Sequence, residues 1–304
     1  MKKYTFIINP TAGNIDPITL IPLIEEIAAN YKHDVRIELT QYHRHAIEIA
    51  NRIKNDEIVI SCGGDGTLNE VVNGLDLDKN ITIGLLPSGS GNDFKNNIIV
   101  SQSAEENINY YFNENFRTQK IDVGTFSYRI EGDLNRYNSL KFMNSLGIGF
   151  DAYVAHLHQN SRIFTGLISY IFSVLRALVK YESININFRF EEQSISGNKL
   201  LIAIGNGKTT GGGFHLTKNA LVDDGLLDVC IIDFVSRRRL LTKLPLAVKN
   251  RIDEVPEVLT TRIKSGKLSL MQPYFVHADG ELVSEKITDL EISVLKNKLN
   301  FITF

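Results

Sequence analysis

The chain has 304 residues, room for two domains of ordinary size, and a formal net charge of −2, which leaves no basic field for nucleic acid. With 43% hydrophobic and 22% charged residues it has the balance of a globular protein and not of a disordered or membrane-embedded one. Two cysteines, Cys62 and Cys230, are too few for a disulfide framework; both lie in apolar runs and read as buried thiols of a reducing cytoplasm.

From the amino end, Met1-Lys2-Lys3-Tyr4 leads straight into a strand-like run, Tyr4–Asn9, and does not read as a signal peptide. Helical spacing follows from about Ile18 to Asn30, then a strand at Val35–Thr40 and a helix at Ala46–Ile53. Further strands fall at Glu57–Ser61 and Ile81–Leu86. Such alternation predicts an α/β domain over residues 1–122, with a parallel sheet covered by helices on both faces. Ligands of these sheets collect beyond the carboxyl ends of the strands. Four loops fall there: Asn9–Gly13, Thr40, Gly63–Thr67 and Pro87–Phe94.

The most informative loop is Ser61-Cys62-Gly63-Gly64-Asp65-Gly66-Thr67-Leu68-Asn69-Glu70-Val71-Val72-Asn73-Gly74. An apolar strand (Ile58, Val59, Ile60) runs into glycines and then into helical spacing (Leu68, Val71, Val72, Leu75), the layout of a phosphate cradle. The spacing matches neither a P-loop nor the dinucleotide fingerprint. Asp65 would repel a bare phosphate, so its presence suggests that Mg²⁺ accompanies the anion. The plainer reading is a tight strand-to-helix turn with Asp65 as a local cap.

Beyond about Ile121 the texture changes to strand-like runs: 121–130, 140–148, 183–190, 199–205, 226–233, 267–270, 274–277 and 290–295. They predict a mainly antiparallel β-sandwich or barrel-like domain over 123–295, interrupted by helices near 164–180 and 237–251. The apolar tail 296–304 is strand-like and either pairs there or returns to complete the first domain. The most membrane-like stretch, Ile163–Leu175, is shorter than the roughly 20 residues needed to cross a bilayer. Asp279-Gly280-Glu281 has two readings. In an extended strand both carboxylates would share one face and raise each other's proton affinity, as a general base requires. Asp-Gly is equally a common hairpin turn. His277 reads as a core-facing strand histidine, with support of nearby Asp279 as the alternative, Asp223-Asp224-Gly225 as a solvated turn, and Arg237-Arg238-Arg239 as a solvated helix start with anionic lipid as the alternative. The pairs His43/His45 and His156/His158 have spacing unsuited to a metal on a helix.

The run Gly63–Gly74 resembles the signature of the diacylglycerol kinase catalytic-domain family, which includes soluble bacterial lipid kinases and sphingosine kinases. NAD kinases and phosphofructokinases carry related glycine-rich Asp loops, but the Leu-Asn-Glu-Val-Val-Asn-Gly continuation is that of the lipid kinases. Asn9-Pro10-Thr11-Ala12-Gly13, Pro87–Phe94, Asp223–Asp228 and Ala278-Asp279-Gly280-Glu281 resemble further family segments, in family order. Ser90 stands where Thr is frequent, and Lys95-Asn96 replaces the usual Ala-Arg.

The resemblance implies a two-domain NAD kinase/phosphofructokinase-like fold with ATP between the domains, and transfer of its γ-phosphate to a lipid hydroxyl, diacylglycerol first. It implies that Asn9, Pro10, Thr11, Thr40, Gly63, Gly64, Asp65, Gly66, Thr67, Leu68, Asn69 and Ser90 hold the nucleotide. Asp65, Asp279 and Glu281 would be catalytic, with Glu281 the first choice for base and Asp279 for the metal network, roles open to exchange. A structural Mg²⁺ would sit on the Asp224 carboxylate and the carbonyls of Leu221 and Leu226. The lipid partner implies work at the cytoplasmic membrane surface as a peripheral protein; a homodimer is left open. The rival readings are an NAD-kinase-like enzyme with a soluble acceptor and a nucleotide-binding regulator without turnover.

Overall fold

The computed structural model describes residues 1–13, 17–89, 91–113, 116–159, 166–180, 182–211 and 213–304. The chain divides into two compact units, Met1–Asp122 with Asn297–Phe304, and Val123–Lys296.

The first unit is built in chain order from β1 (Lys3–Ile8), α1 (Leu20–Ala28), β2 (Asp34–Leu39), α2 (His45–Ala50), β3 (Glu57–Gly63), α3 (Asp65–Gly74), β4 (Thr82–Pro87) and α4 (Ala104–Phe112). Its strands lie parallel in the order β2-β1-β3-β4. The tail adds a fifth parallel strand beside β4, with Asn300 opposite Thr82 and Phe301 opposite Ile83. Alternation explains the packing. Tyr4, Phe6 and Ile8 of β1 and Ile58, Ile60 and Cys62 of β3 join Ile24 and Ile27 of α1 and Ile108, Tyr111 and Phe112 of α4 in one core. Tyr111 anchors that core, its hydroxyl donating to the Leu85 carbonyl at 2.7 Å. Ser103 caps α4 by accepting the Glu106 N–H. The tail is fastened by Phe301 against Phe94 and by the Phe304 N–H on the Ile99 carbonyl at 3.0 Å. It therefore completes the first unit.

The second unit takes in most of β5 (Arg117–Ile130), then β6 (Asp133–Phe142), β7 (Ser145–Gly149), α5 (Phe150–Gln159), α6 (Gly166–Ala177), β8 (Ile184–Phe190), β9 (Gln193–Gly205), β10 (Leu227–Asp233), α7 (Arg237–Val248), β11 (Val258–Ile263), β12 (Ser265–Ala278) and most of β13 (Glu281–Thr303). β9 and β12 each pair antiparallel with β8 along one stretch and with β7 along another, which is how the sandwich turns its corner. Ile202 and Ile204 of β9 and Val229 and Ile231 of β10 face the inner core. Their neighbours Leu201, Ala203, Cys230 and Ile232 face a second core, built with α5, α6 and α7. Both faces of these strands are buried, so their sequence reads as a continuous apolar run. Both cysteines are buried and unpaired. Among the described residues no helix is long and apolar enough to cross a membrane.

Candidate active site

The loops singled out in the first unit follow its strands at one edge. Register sets Ile8 beside Leu39 and Cys62, and Gly63 beside Pro87, so Asn9, Thr40, Gly64 and Ser88 leave the sheet together. Asn9 joins two loops: its Nδ2 donates to Thr67 Oγ1 at 3.1 Å, and its Oδ1 accepts from the Thr11 N–H and hydroxyl at 3.1 and 2.9 Å. The Ala12 N–H on the Asn9 carbonyl, 3.2 Å, closes the turn that carries Pro10. Thr40 is buried, its N–H on the Ile8 carbonyl at 2.9 Å.

Asp65, first residue of α3, accepts the N–H groups of Asp93 and Phe94 at 2.8 and 2.9 Å, one on each carboxylate oxygen. It thereby pins the loop after β4 to the start of α3. The glycines serve the same closure. A Cβ on Gly89 would stand 2.4 Å from Gly64 Cα, and one on Gly13 1.6 Å from the Ser88 carbonyl oxygen. Asn92, absent from the sequence argument, closes the loop on itself by accepting the Gly89 N–H at 3.1 Å.

Two features of this closed set of loops fit an anion. Gly64 gives α3 no side-chain cap, so its first amides have no acceptor from a cap, and the Ser88 hydroxyl is buried without a partner. Leu68 is buried in the body of the unit, where its side chain packs, and Asn69 accepts from the Asn73 amide at 3.0 Å. Gly66 and Thr67 lie in the first turn of α3. Ser90 lies outside the described residues.

In the second unit, Asp279 and Gly280 are the central pair of the β12–β13 hairpin. Ala278 pairs with Glu281, and the two turn residues have φ of 51° and 85°. The extended reading of Asp-Gly-Glu is thus corrected: the carboxylates do not share a strand face. Asp279, 9% exposed, turns its carboxylate onto the segment before β7 and accepts the N–H groups of Met143, Asn144 and Ser145, each at 2.8 Å. Three such donors occupy both of its oxygens and tie the turn to this segment. Glu281, first residue of β13, is exposed.

The sequence reading missed the supports of this turn. The Asn144 carbonyl accepts the N–H groups of Asn206 and Gly207 at 2.9 and 2.8 Å, and Asn206 Nδ2 donates to the Met143 carbonyl at 2.8 Å. Ser145 and Thr210 share a hydroxyl hydrogen bond of 3.1 Å. The run Gly205-Asn206-Gly207-Lys208-Thr209-Thr210-Gly211, directly after a strand, was the available signal.

Known proteins share both halves of this arrangement. The diacylglycerol kinase catalytic domain profile matches residues 3–126, and the YegS C-terminal NAD kinase beta sandwich-like domain profile matches residues 144–302. A Staphylococcus haemolyticus protein named "Putative lipid kinase SH2167" is 30% identical over 290 residues, 90% of this chain and 86% of that protein. The chain belongs to the diacylglycerol kinase catalytic-domain family. A Staphylococcus carnosus protein of the same family, named diacylglycerol kinase, is 25% identical over 92% of this chain and 89% of its own length. A Bacillus anthracis diacylglycerol kinase crystal structure, 20% identical, superposes over 100% of this chain and 97% of its own with a TM-score of 0.67, a likeness of fold.

The turn 223–228, for which the family resemblance implies a metal, carries two carboxylates beside one arginine. Asp224 Oδ1 accepts the Leu226 N–H at 2.9 Å, and its Oδ2 lies 3.9 Å from Arg262 Nη1. Arg262 Nε is 3.7 Å from Asp228. Burial pushes the Asp228 carboxyl up to about 6, against the pull of Arg262 and with a push from Asp224. Two partly buried carboxylates share one guanidinium at more than hydrogen-bond distance, so the hard donors and the charge fit a divalent cation. Leu221 is exposed and Leu226 half-buried. Among the described residues no group of three or more His, Cys, Asp or Glu side chains gathers for a metal, so any ion would need the backbone carbonyls as well.

The second unit also holds a narrow apolar pocket of about 70 Å³ between the outer face of β9–β10 and the helices. Phe150, Val154, Leu201, Phe214, Leu240 and Ile252 line it, with Arg239, Lys243 and Glu257 among its polar lining residues.

Proposed function

We propose that this protein is an ATP-dependent lipid kinase that transfers the γ-phosphoryl group to a lipid hydroxyl, with diacylglycerol as acceptor and phosphatidic acid as product. The apolar pocket carries the reading. Its apolar lining suits hydrocarbon. A soluble, NAD-like acceptor would ask for polar walls instead. The relatives named diacylglycerol kinase support the same substrate class.

In this reading the loops of the first unit hold the nucleotide: Asn9, Pro10, Thr11, Thr40, Ser90 and the Gly63–Asn69 segment. The amides at the start of α3 receive the phosphates. Glu281 takes the proton of the acceptor hydroxyl as its oxygen attacks the γ-phosphorus, whose bond to the β,γ-bridging oxygen breaks to release ADP. Asp279 keeps the turn in place. Mg²⁺, held at Asp65 through water and structurally at Asp224 with the Leu221 and Leu226 carbonyls, would spread charge over the phosphates and brace the 223–228 turn.

Diacylglycerol resides in a bilayer, so the protein works as a peripheral protein at the cytoplasmic leaflet. Exposed Phe172, Leu175, Val179 and Leu241, with Arg237 and Arg238, supply apolar and basic contacts for that surface. Arg237 Nη2 donates to the Val179 carbonyl at 3.0 Å, joining the end of α6 to the start of α7. The test is a panel of lipid alcohols and NAD with γ-labelled ATP and Mg²⁺. Label in phosphatidic acid is expected; label in NAD alone, or none anywhere, overturns the reading.

A further inference from the structure

Two buried ionisable groups in the second unit have no part in the roles above. His277, 1% exposed near the end of β12, and Asp151, 4% exposed in the first turn of α5, meet with Nε2 and Oδ2 3.3 Å apart. The other ring nitrogen, Nδ1, accepts the Gly280 N–H at 3.2 Å. An accepting Nδ1 leaves the ring proton on Nε2, so the imidazole is neutral and donates to Asp151. Asp151 is itself fixed, its Oδ1 accepting the Ala152 N–H at 2.8 Å.

The couple also has a space reserved for it. Gly147 of β7 lies opposite His277 in the ladder, and a Cβ there would stand 2.2 Å from both Asp151 Oδ2 and His277 Nε2. Gly147 is not in the left-handed region, so the glycine is required by the couple and not by the backbone. A buried carboxylate and imidazole are costly without partners, and here the contacts run from Asp151 through His277 to Gly280 of the acidic turn. Gly280 directly precedes Glu281.

We propose that Asp151 and His277 are positioning residues for the acidic turn: Asp151 fixes the tautomer and orientation of His277, His277 holds the Gly280 N–H, and the turn so held aims Glu281. Asp151 also stands on the wall of the apolar pocket, so one couple ties that pocket to the turn. A chain packed against Asp151 keeps water from the pair and strengthens it. The rate readout of this proposal rests on the lipid-kinase reading.

Three variants of the full chain test it, with kcat, both KM values and the urea midpoint measured for each. His277→Asn sets an acceptor in the place of Nδ1 and keeps the Gly280 contact. His277→Gln reaches Asp151 instead and leaves the Gly280 N–H unmatched. Gly147→Ala pushes the couple apart without touching an ionisable group. His277→Gln and Gly147→Ala should lower kcat about tenfold, the equivalent of one hydrogen bond, with KM for ATP within about twofold. His277→Asn should stay within about threefold of wild type. A wild-type kcat in His277→Gln, or equal losses in the Asn and Gln variants, overturns the proposal. Imidazole nitrogen shifts showing Nδ1 protonated at neutral pH do so as well. A wild-type chain inactive on every lipid alcohol would sink the kinase reading instead. The His277 tautomer and the exchange rate of the Gly280 amide would then decide the couple by themselves.

Discussion

Asp279 and Glu281 are separated by a single glycine, yet the structure makes opposite demands of them, and substitution should separate the two. Asp279→Ala removes the acceptor of three N–H groups at 2.8 Å in a segment that is buried around Asn144 and Ser145. Each donor to a charged group is worth about 1.5–3 kcal/mol when paired, but the three are consecutive and relax together. Alanine at a φ of 51° adds about 1 kcal/mol of backbone strain. The expected loss is about 4 kcal/mol, a large share of the roughly 5–15 kcal/mol of an ordinary domain. Asp279→Asn keeps one carbonyl acceptor and a residue that tolerates the left-handed region, and should lose about half as much. Glu281→Gln should change stability by less than about 0.5 kcal/mol, because the side chain is exposed, while lowering kcat at least about 10²-fold. The chain contains no tryptophan, so far-UV circular dichroism in urea is the suitable probe. With a slope of about 2 kcal/mol/M the Asp279→Ala midpoint falls by about 2 M. An Asp279→Ala midpoint within about 0.3 M of wild type would refute the scaffold role. So would an equal fall in Glu281→Gln.

Three other outcomes follow from the same geometry. Gly89→Ala sets a Cβ 2.4 Å from Gly64 Cα, backbone against backbone, so the loops cannot close; ATP affinity by calorimetry should fall more than about tenfold, with the far-UV spectrum unchanged. Asp228 has a folded value of about 6 against an unfolded 3.8, so the folded chain binds the extra proton in that window. Its share of stability is therefore fully present below pH 3.8 and lost as pH rises through about 6. Asp228→Asn should raise the urea midpoint at pH 7 and leave it unchanged near pH 3.8; a gain of equal size at both refutes the burial argument. Replacing Leu175 and Leu241 by Glu should reduce sedimentation with anionic vesicles about tenfold while sparing turnover of a short-chain, monomeric diacylglycerol. Equal loss in both assays would remove the surface from the proposal.

Much of the fold was legible because its signals are local. Alternation of short strands and helices marked the parallel sheet, and the change to period two near Ile121 marked the sandwich. The tail was not legible, because pairing beside β4 depends on an edge some 218 residues earlier, at Thr82 opposite Asn300. The role of the glycines was readable only in part. The sequence says that something approaches Gly63 and Gly64 closely; that Thr67 does so at Gly63 and Gly89 at Gly64 is set only by the tertiary structure. Asp65 likewise reads as a charged residue awaiting a cation, whereas both its oxygens already accept backbone amides of the Asp93-Phe94 segment.

The Asp-Gly-Glu segment shows why turn statistics and motif resemblance gave rival answers that are not rivals. The statistics concern φ and ψ, and the hairpin they favour is the backbone found, with Asp279 and Gly280 both left-handed. The motif concerns which side chains reach a reacting atom, and the turn divides them. Asp279 is turned toward amides 134 to 136 positions away, while Glu281 begins the next strand exposed. Had the segment been extended, the two carboxylates would have shared a face and competed for one proton. The turn instead occupies Asp279 with backbone amides and sets the two carboxylates apart, as the proposed proton transfer to Glu281 requires. A catalytic role for the second carboxylate thus needs the hairpin that seemed to argue against it.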